Sequence, residues 1–506
     1  MIKAKRIIAL ALATASLVAC TAGCDKKGAT SDGVKEYTAF ISATPPYTED
    51  MPIFKEAEKR TGIRLKNVMS SVSSDEGAAY STMLSGNKLP DIIRHQNGKM
   101  RELALDGGLI ALDEYFDEYA PNLKKFFEEC KQAKDVAVMP DGHIYFVPGT
   151  LTELDKEGIP AMAYFIRKDW LDKLGLDYPK TIQEYHDVLL AFKTQDPNGN
   201  GIADEVPYFD RHNSLYGILT LFCTYNMQHE YNGEIVWGPA TENYKAAMKE
   251  FSKWYAEGII DPEIFTRTNA REQLLGQNVG GSCNDWISST SKFNETMASS
   301  IPNFSLMPFL PPENNEGRVE DRHASRLIHN WGWGISKDAD KDSIIDLVKY
   351  LDFWMSEEGQ TLRNYGVEGI SYTVDANGNK QWSEAAKSFP DGVPQYMRSI
   401  GGFEMGTIAS SESNYLGMNE IGQQAFKMYE EYSLPPLPAL NFTEEELKIV
   451  NKYAVNVQTA SDEQCQKWIL GTEDVDATWD KYIKELNGMG LQELLKVYNA
   501  AYDRMK

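Results

Sequence analysis

The chain has 506 residues, with 51 Lys and Arg against 74 Asp and Glu, a formal charge of −23. Its 42 % hydrophobic and 25 % charged residues suit a soluble globular protein of several domains, which excludes a mostly disordered chain and a polytopic membrane protein. The acidic excess argues against a nucleic-acid partner, because phosphate backbones are bound by a surplus of Lys and Arg.

The first residues report an address. Lys3, Lys5 and Arg6 form a basic head, and Ile7 to Ala19 is an uncharged run of 13 residues. That run is too short to span a bilayer, which takes ~20 residues, and it reads as an export signal. Leu17-Val18-Ala19-Cys20 and Thr21-Ala22-Gly23-Cys24 each place small residues before a cysteine. Both resemble a bacterial lipobox, in which the cysteine takes a diacylglycerol. Leu17, three residues before Cys20, makes Cys20 the better candidate, with Cys24 the alternative. A plain secretory signal with incidental cysteines is the competing reading. Residues 1–19 are then a signal peptide and 20–35 a flexible tether. Two acyl chains suffice to hold a protein on the outer face of a membrane. Cys130, Cys223, Cys283 and Cys465 remain in the body, far apart, and are expected to be buried free thiols.

Glu36 to Ser42 has strand composition. A helix is predicted over Met51 to Arg60, with Pro52 in its first turn and Gly62 as its stop. Ile63 to Val68 alternates, Asp75 to Leu84 reads as helix, Leu89 to Arg94 as strand and Asn97 to Leu105 as helix. This β-α-β-α-β-α order predicts a parallel sheet covered by helices. Ile144 to Val147 and Tyr164 to Arg167 are further strands, and Thr181 with Glu184 forms a capping box. Asn330 to Ser336 reads as strand and Ser343 to Trp354 as an amphipathic helix. Beyond Thr443, another capping box with Glu446, the chain is almost all helix. In the last helix Leu491, Leu494, Leu495, Tyr498 and Tyr502 share one face.

The sharpest motif is Asp196-Pro-Asn-Gly-Asn-Gly-Ile-Ala-Asp-Glu205. Asp196, Asn198 and Asn200 place oxygen at alternate positions, Ile202 offers its carbonyl, and Asp204 and Glu205 close the loop. Calcium takes six to eight oxygens at ~2.3–2.6 Å, and a loop bent by Gly199 and Gly201 suits it. The match to an EF-hand loop is partial: position 12 is Pro207, so Glu205 has to compensate. The competing reading is an Asx-rich hydrated loop without an ion. An ion here would be structural. Zinc spacings, a nucleophile elbow, a P-loop and a dinucleotide fingerprint are all absent, which tilts the reading from enzyme toward binder.

Several blocks then combine: Leu89-Pro-Asp-Ile92, Gly107 to Asp113, Ile166 to Leu171 with Lys173 to Leu176, Asp196 to Pro207, Ser356-Glu-Glu-Gly359, Tyr365 to Tyr372, Met489-Gly-Leu491 and Ala500 to Asp503. In this order, behind a lipobox, they resemble the family 1 extracellular solute-binding proteins of ABC importers, in the long Gram-positive lipoprotein branch. The resemblance implies an α/β, two-lobed periplasmic-binding-protein-like fold (type II) with the ligand cleft between the lobes and a helical C-terminal part. It places 36–150 with 328–385 in lobe 1, and 151–327 with 386–506 in lobe 2. Crossings are expected near Pro148 to Leu154, Leu327 to Asn330 and Trp382 to Asp391. Related alginate-binding proteins carry a calcium loop of this kind, including its departure at position 12. The implied function is capture of an oligosaccharide by a monomeric, lipid-anchored protein that delivers it to a separate permease. A peptide-binding importer subunit and a lipid-anchored glycoside hydrolase are the alternatives.

A sugar site wants aromatic platforms beside side chains that give and take hydrogen bonds. Tyr47 and Asn97 follow strands at the carboxyl edge, where α/β sheets bind ligands. Trp286 follows the Gly280-Gly281 opening, and Trp331 and Trp333 share a strand face. Glu368 and Tyr372 lie in a family block, and Arg398 would favour an acidic sugar. For each, core packing or a plain surface position is the competing reading.

Overall fold

The computed structural model describes residues 33–506 other than 44, 70–75, 157, 212, 391, 403–405 and 438–439. The export signal, Cys20, Cys24 and nearly all of the tether lie outside the described residues. The strands are β1 (Lys35–Ile41), β2 (Ile63–Asn67), β3 (Ile92–Gln96), β4 (Val147–Thr150), β5 (Met162–Arg167), β6 (Val206–Tyr208), β7 (Gln228–Tyr231), β8 (Glu234–Trp237), β9 (Gly280–Trp286), β10 (Leu306–Phe309), β11 (Ile328–Ile335), β12 (Tyr372–Val374) and β13 (Lys380–Trp382).

One sheet has the order β2-β1-β3-β11-β4 and a second the order β10-β5-β9-β6; β7-β8 and β12-β13 are separate hairpins. In the first, β1 runs parallel to β2 and β3, and β11 is antiparallel to β3 and β4. The predicted helices cover it. The helix Pro52–Thr61 buries Ile53, Phe54 and Ala57 and ends on Gly62 at φ 70°, a left-handed position that glycine takes without strain. The strand expected from Ile144 starts only at Val147. Ile144 N donates to Asp113 Oδ1 at 2.9 Å and its carbonyl accepts from Leu112 N at 2.7 Å, which ties it to a loop instead.

Each sheet has its own apolar core. The first collects Tyr37 to Val147 and Leu327 to Ile400, around Phe40, Trp333 and Trp354. The second sheet packs apolar groups on both faces, with Trp170, Trp254 and Trp468 on one and Phe165, Phe209 and Phe426 on the other. The C-terminal helices Glu444–Ile469, Val475–Gly488 and Leu491–Asp503 close the Trp254 side. Thr443 and Glu446 form both bonds of the capping box that starts them.

The chain leaves the first sheet at Thr150 and enters the second at Met162; it leaves the second at Phe309 and returns at Ile328. These passages are stitched together: Leu151 N donates to Leu327 O at 2.8 Å, and Thr150 N donates to Thr407 O at 2.9 Å. The Thr150 hydroxyl accepts from Ala409 N at 2.9 Å. A third segment, Thr407–Ala409, thus joins the stitch, beyond the stretch Trp382 to Asp391 where a crossing is expected. Ala386, Val393, Met397 and Ile400 bury their side chains in the first core. Cys130, Cys223, Cys283 and Cys465 are buried, and among the described residues none is joined to another in a disulfide. Among the described residues no helix is long and apolar enough to cross a membrane.

Candidate functional site

The topology brings two sheet edges toward the crossing segments. On the first lobe these are the carboxyl ends of β1, β3 and β4 with the start of β11. On the second they are the carboxyl ends of β6 and β9 with the start of β5, where Met162 pairs with Trp286.

The first edge is packed shut. Arg94, fully buried, donates to Ser42 O and lays its guanidinium 4.3 Å from the centre of the Trp331 ring. The His95 ring stacks between Phe40 at 6.1 Å and Trp331 at 5.9 Å and meets Tyr80 edge-on at 4.3 Å. Gln96 N donates to His95 Nδ1 at 2.7 Å, so the neutral ring carries its proton on Nε2, 3.4 Å from Glu76 Oε1. Burial holds the His95 pKa below the ordinary histidine value. Asn97 is buried; its Nδ2 donates to His329 O at 2.8 Å, and its Oδ1 has no partner. It lines a crevice of about 50 Å³ with Gln132, Arg326, His329, Asn330 and, from the segment leading to the C-terminal helices, Leu437.

The second edge is open. Trp286 is 45 % exposed at the end of β9. Asp285, 1 % exposed, accepts from Arg211 at 2.9 Å, from Arg271 at 3.3 Å and from Trp286 N at 2.7 Å. This carboxylate holds the platform's backbone and one arginine of the rim. Below Trp286 on the same strand face, Asn284 is fully buried with neither amide atom partnered, beside the Tyr208 hydroxyl. Gly217 backs this pair: a Cβ there would lie 2.7 Å from the Tyr208 oxygen, so only glycine fits. Arg211 and Asp285 escaped the sequence reading, although Asp285 stands inside the Asn284-Asp-Trp286 block. No motif signalled them, because their pairing joins β9 to the turn after β6.

Three expected site residues belong to the core instead. Tyr47 is buried, donates to Leu65 O at 2.8 Å and packs edge-on against Phe54 at 4.6 Å; its hydroxyl is consumed by the backbone. Trp333 is fully buried under the first sheet. Tyr372 is buried beside Tyr365, ring centres 5.9 Å apart, and pairs with Trp382 across a hairpin. Glu368 is exposed next to the exposed Ile370. Arg398 is half-buried on the helix Gly392–Ser399, which packs against the helix Ile287–Thr290 directly after Trp286. The structure thus gathers Asn97 and Trp331 on one edge and Trp286 on the other, with the Arg398 helix touching the second.

The loop at 196–205 is ordered by its own acids. Asp196, at φ 46°, accepts at Oδ1 from Gly199 N and Asn200 N (2.9 and 3.1 Å) and at Oδ2 from Gly201 N at 3.0 Å. The Asn198 and Asn200 amides both donate to Asp204 at 3.1 Å. Asn200 Oδ1 accepts from Ile202 N at 2.7 Å, and Lys173 Nζ donates to Pro197 O at 2.8 Å from outside. Glu205 is 1 % exposed, and neither carboxylate oxygen has a partner. Burial first, then Asp204 and Asp196, pushes its carboxyl above the ordinary range. A buried carboxylate without a partner is costly, and a divalent cation would offset that cost. Among the described residues no three His, Cys, Asp or Glu side chains already converge as a ligand set. Asp196, Asp204 and Glu205 would have to draw together, with Asn and carbonyl oxygens completing the shell. The donor set fits calcium.

Two α/β lobes, each with its own core, joined by stitched passages, form a clamp. A family model for bacterial extracellular solute-binding proteins matches residues 42–361. The chain belongs to this family. The fructooligosaccharide ABC transporter substrate-binding protein FusA of Streptococcus pneumoniae is 27 % identical to it, over 97 % of both chains. The crystal structure of the alginate-binding protein AlgQ2 without calcium ion superposes with a TM-score of 0.80 and 30 % identity, over 94 % of this chain and 99 % of that one. A FusA EF-hand mutant in complex with fructo-nystose superposes at 0.75, with 22 % identity over 93 % and 99 %. The likeness spans both lobes and the helical C-terminal part, so this solute-binding protein has the two-lobed α/β fold.

Proposed function

We propose that this solute-binding protein captures an oligosaccharide between its lobes outside the cell and delivers it unchanged to the permease of an ABC importer. The observation that carries this is the match to FusA along 97 % of both chains. The open edge supports it: Trp286 offers an apolar face for sugar C–H groups, and the Asp285–Arg211 pair beside it offers hydrogen-bond donors. Asn97, Trp331, Glu368 and Arg398 complete the proposed lining; Tyr47, Trp333 and Tyr372 do not. The proposed lobes are 36–150 with 328–400, and 151–327 with 410–506.

A thermal-shift screen against oligosaccharides, with reducing ends counted before and after, tests the reading. Stabilisation by a glycan without new reducing ends is the expected result. New ends would make the protein a hydrolase, and stabilisation by peptides alone would replace the ligand class.

The loop 196–205 is proposed to hold a structural calcium ion through Asp196, Asn198, Asn200, Asp204, Glu205 and the Ile202 carbonyl. Chelated protein is expected to melt at lower temperature and to recover on adding Ca²⁺. In Glu205→Gln the recovery shrinks. Anchoring through Cys20 is proposed as well; Cys20→Ala is expected to release the protein into the medium.

A further inference from the structure

The first lobe carries a cavity of about 620 Å³ between its sheet and the helix Glu76–Leu84. That helix stands off the sheet: of its nine residues, Tyr80 and Met83 alone are buried. The lining runs from Val68 and Met69, just past β2 at the sheet's outer edge, to Leu89 and Pro90, before the amino end of β3. Every described residue of the lining belongs to the first lobe, and none to a crossing segment. The cavity therefore lies apart from the cleft between the lobes.

Its chemistry is unlike that of a sugar site. Phe40, Val68, Met69, Ala79 and Met83 give it apolar walls. Two threonines line it, and both hydroxyls are engaged. Thr82 Oγ1 donates to Ala78 O at 2.8 Å, and Thr38 Oγ1 donates to Asp91 Oδ2 at 2.6 Å. No Asp, Glu, Asn or Gln is among the described residues of the lining. A sugar would leave its hydroxyls unpaired there, which is costly. An apolar chain gains by entering, and a cavity of about 300–1,000 Å³ suits one small molecule. Met69 and Met83 can adapt to its shape.

One charge stands in this lining. Lys88 is exposed, and among the described residues it makes no hydrogen bond or ion pair. Asp338 accepts from Leu89 N at 2.8 Å and is no part of the lining. In a chain of charge −23, an ammonium beside an apolar cavity without acids suits an amphiphile with an anionic head. Position points to a source. β1 begins at Lys35, where the proposed tether enters, and Thr38 lies about 10 Å further along the strand. A tether of residues 20–35 spans at most roughly 55 Å. On the anchoring proposed above, the cavity stays within reach of a membrane, where hydrolysis of acyl esters frees long-chain carboxylates.

We propose that this cavity is a second binding site, for a single long-chain fatty acid. The methylenes lie between Phe40 and the helix positions Ala79 and Met83, and the carboxylate meets Lys88.

Calorimetric titration tests this with octanoate, decanoate, laurate, dodecanol and dodecylammonium. The protein is the full chain carrying Cys20→Ala, so that it holds no lipid of its own. Each added pair of methylenes is expected to strengthen binding roughly tenfold. Laurate should bind tighter than dodecanol, and dodecylammonium weakest. Lys88→Gln is expected to remove the advantage of laurate over dodecanol. Ala79→Phe, which fills the cavity from the helix, should abolish binding of both and leave glycan affinity unchanged. If Ala79→Phe lowers the melting temperature, Lys88→Glu at its exposed position decides, by weakening laurate and strengthening dodecylammonium. Affinity without dependence on chain length overturns the inference, as does laurate binding that survives in a stable Ala79→Phe. Cosedimentation with phosphatidylglycerol vesicles without binding of monomeric laurate overturns it too, and makes this face a membrane contact. The oligosaccharide reading stands or falls separately, on the glycan screen.

Discussion

The two sheet edges that face the crossing segments are built alike and finished differently. Both end strands of parallel neighbours, and both carry a tryptophan and an arginine. On the first lobe the arginine lies on the tryptophan, a histidine stacks beside it, and a backbone carbonyl takes the guanidinium. On the second, the arginine is held aside by the buried Asp285, and the tryptophan is left bare. The first edge satisfies itself; the second waits for something to cover it. Ligand affinity should therefore rest mainly on the second edge and fold stability on both.

The largest effect should come from Asp285→Ala. It takes the carboxylate from Arg211 and leaves the buried Arg271 to Glu272, Ser289 and Thr290, and the lost hydrogen bonds to a charged group should cost about 3 kcal/mol. Urea unfolding would read this as a lower midpoint with an unchanged slope. Trp286→Ala comes next. It removes an exposed platform, so stability should hold while affinity for the bound glycan falls roughly 30-fold, the size of a strong hot spot. Trp331→Ala is the matched control. Because Arg94 and His95 already occupy that ring, its loss should change affinity by less than roughly threefold; an effect equal to that of Trp286→Ala would dissolve the contrast between the edges. The smallest effect is a pH slope. The folded pKa of His95 is depressed by burial, so the unfolded chain binds the proton more readily. Stability from this group is present above the unfolded value of about 6.5 and is lost as pH falls below it. His95→Phe should flatten that slope in denaturant titrations, and an unchanged slope would remove His95 from the account of the first edge.

Local patterns were legible wherever the cause was local. The helix Pro52–Thr61, its Gly62 stop and the Thr443–Glu446 box each depend on residues within one or two turns. The loop 196–205 was readable because its donors are consecutive. The stretch resembling a lipobox is local too, and lies outside the described residues. The site was harder. Tyr47 follows the expected strand and Tyr372 lies in a family block, yet both rings are buried, which only packing decides. Trp331 and Trp333 have the same period and different fates: one lies at the strand's open end under Arg94, the other two residues further into the core.

By itself the sequence determined the alternation of strands and helices, the acid-lined loop, and, through ordered blocks, the two-lobed family. The first two follow from periodicity and spacing, which act over a few residues; the family follows from the resemblance of blocks spread along the chain. Tertiary structure alone decided that Ala386, Val393, Met397 and Ile400 pack into the first core and that Asp285 joins Arg211 and Arg271. Such facts join segments far apart in the chain: which charge meets which depends on how the sheets stack, and no local pattern encodes that.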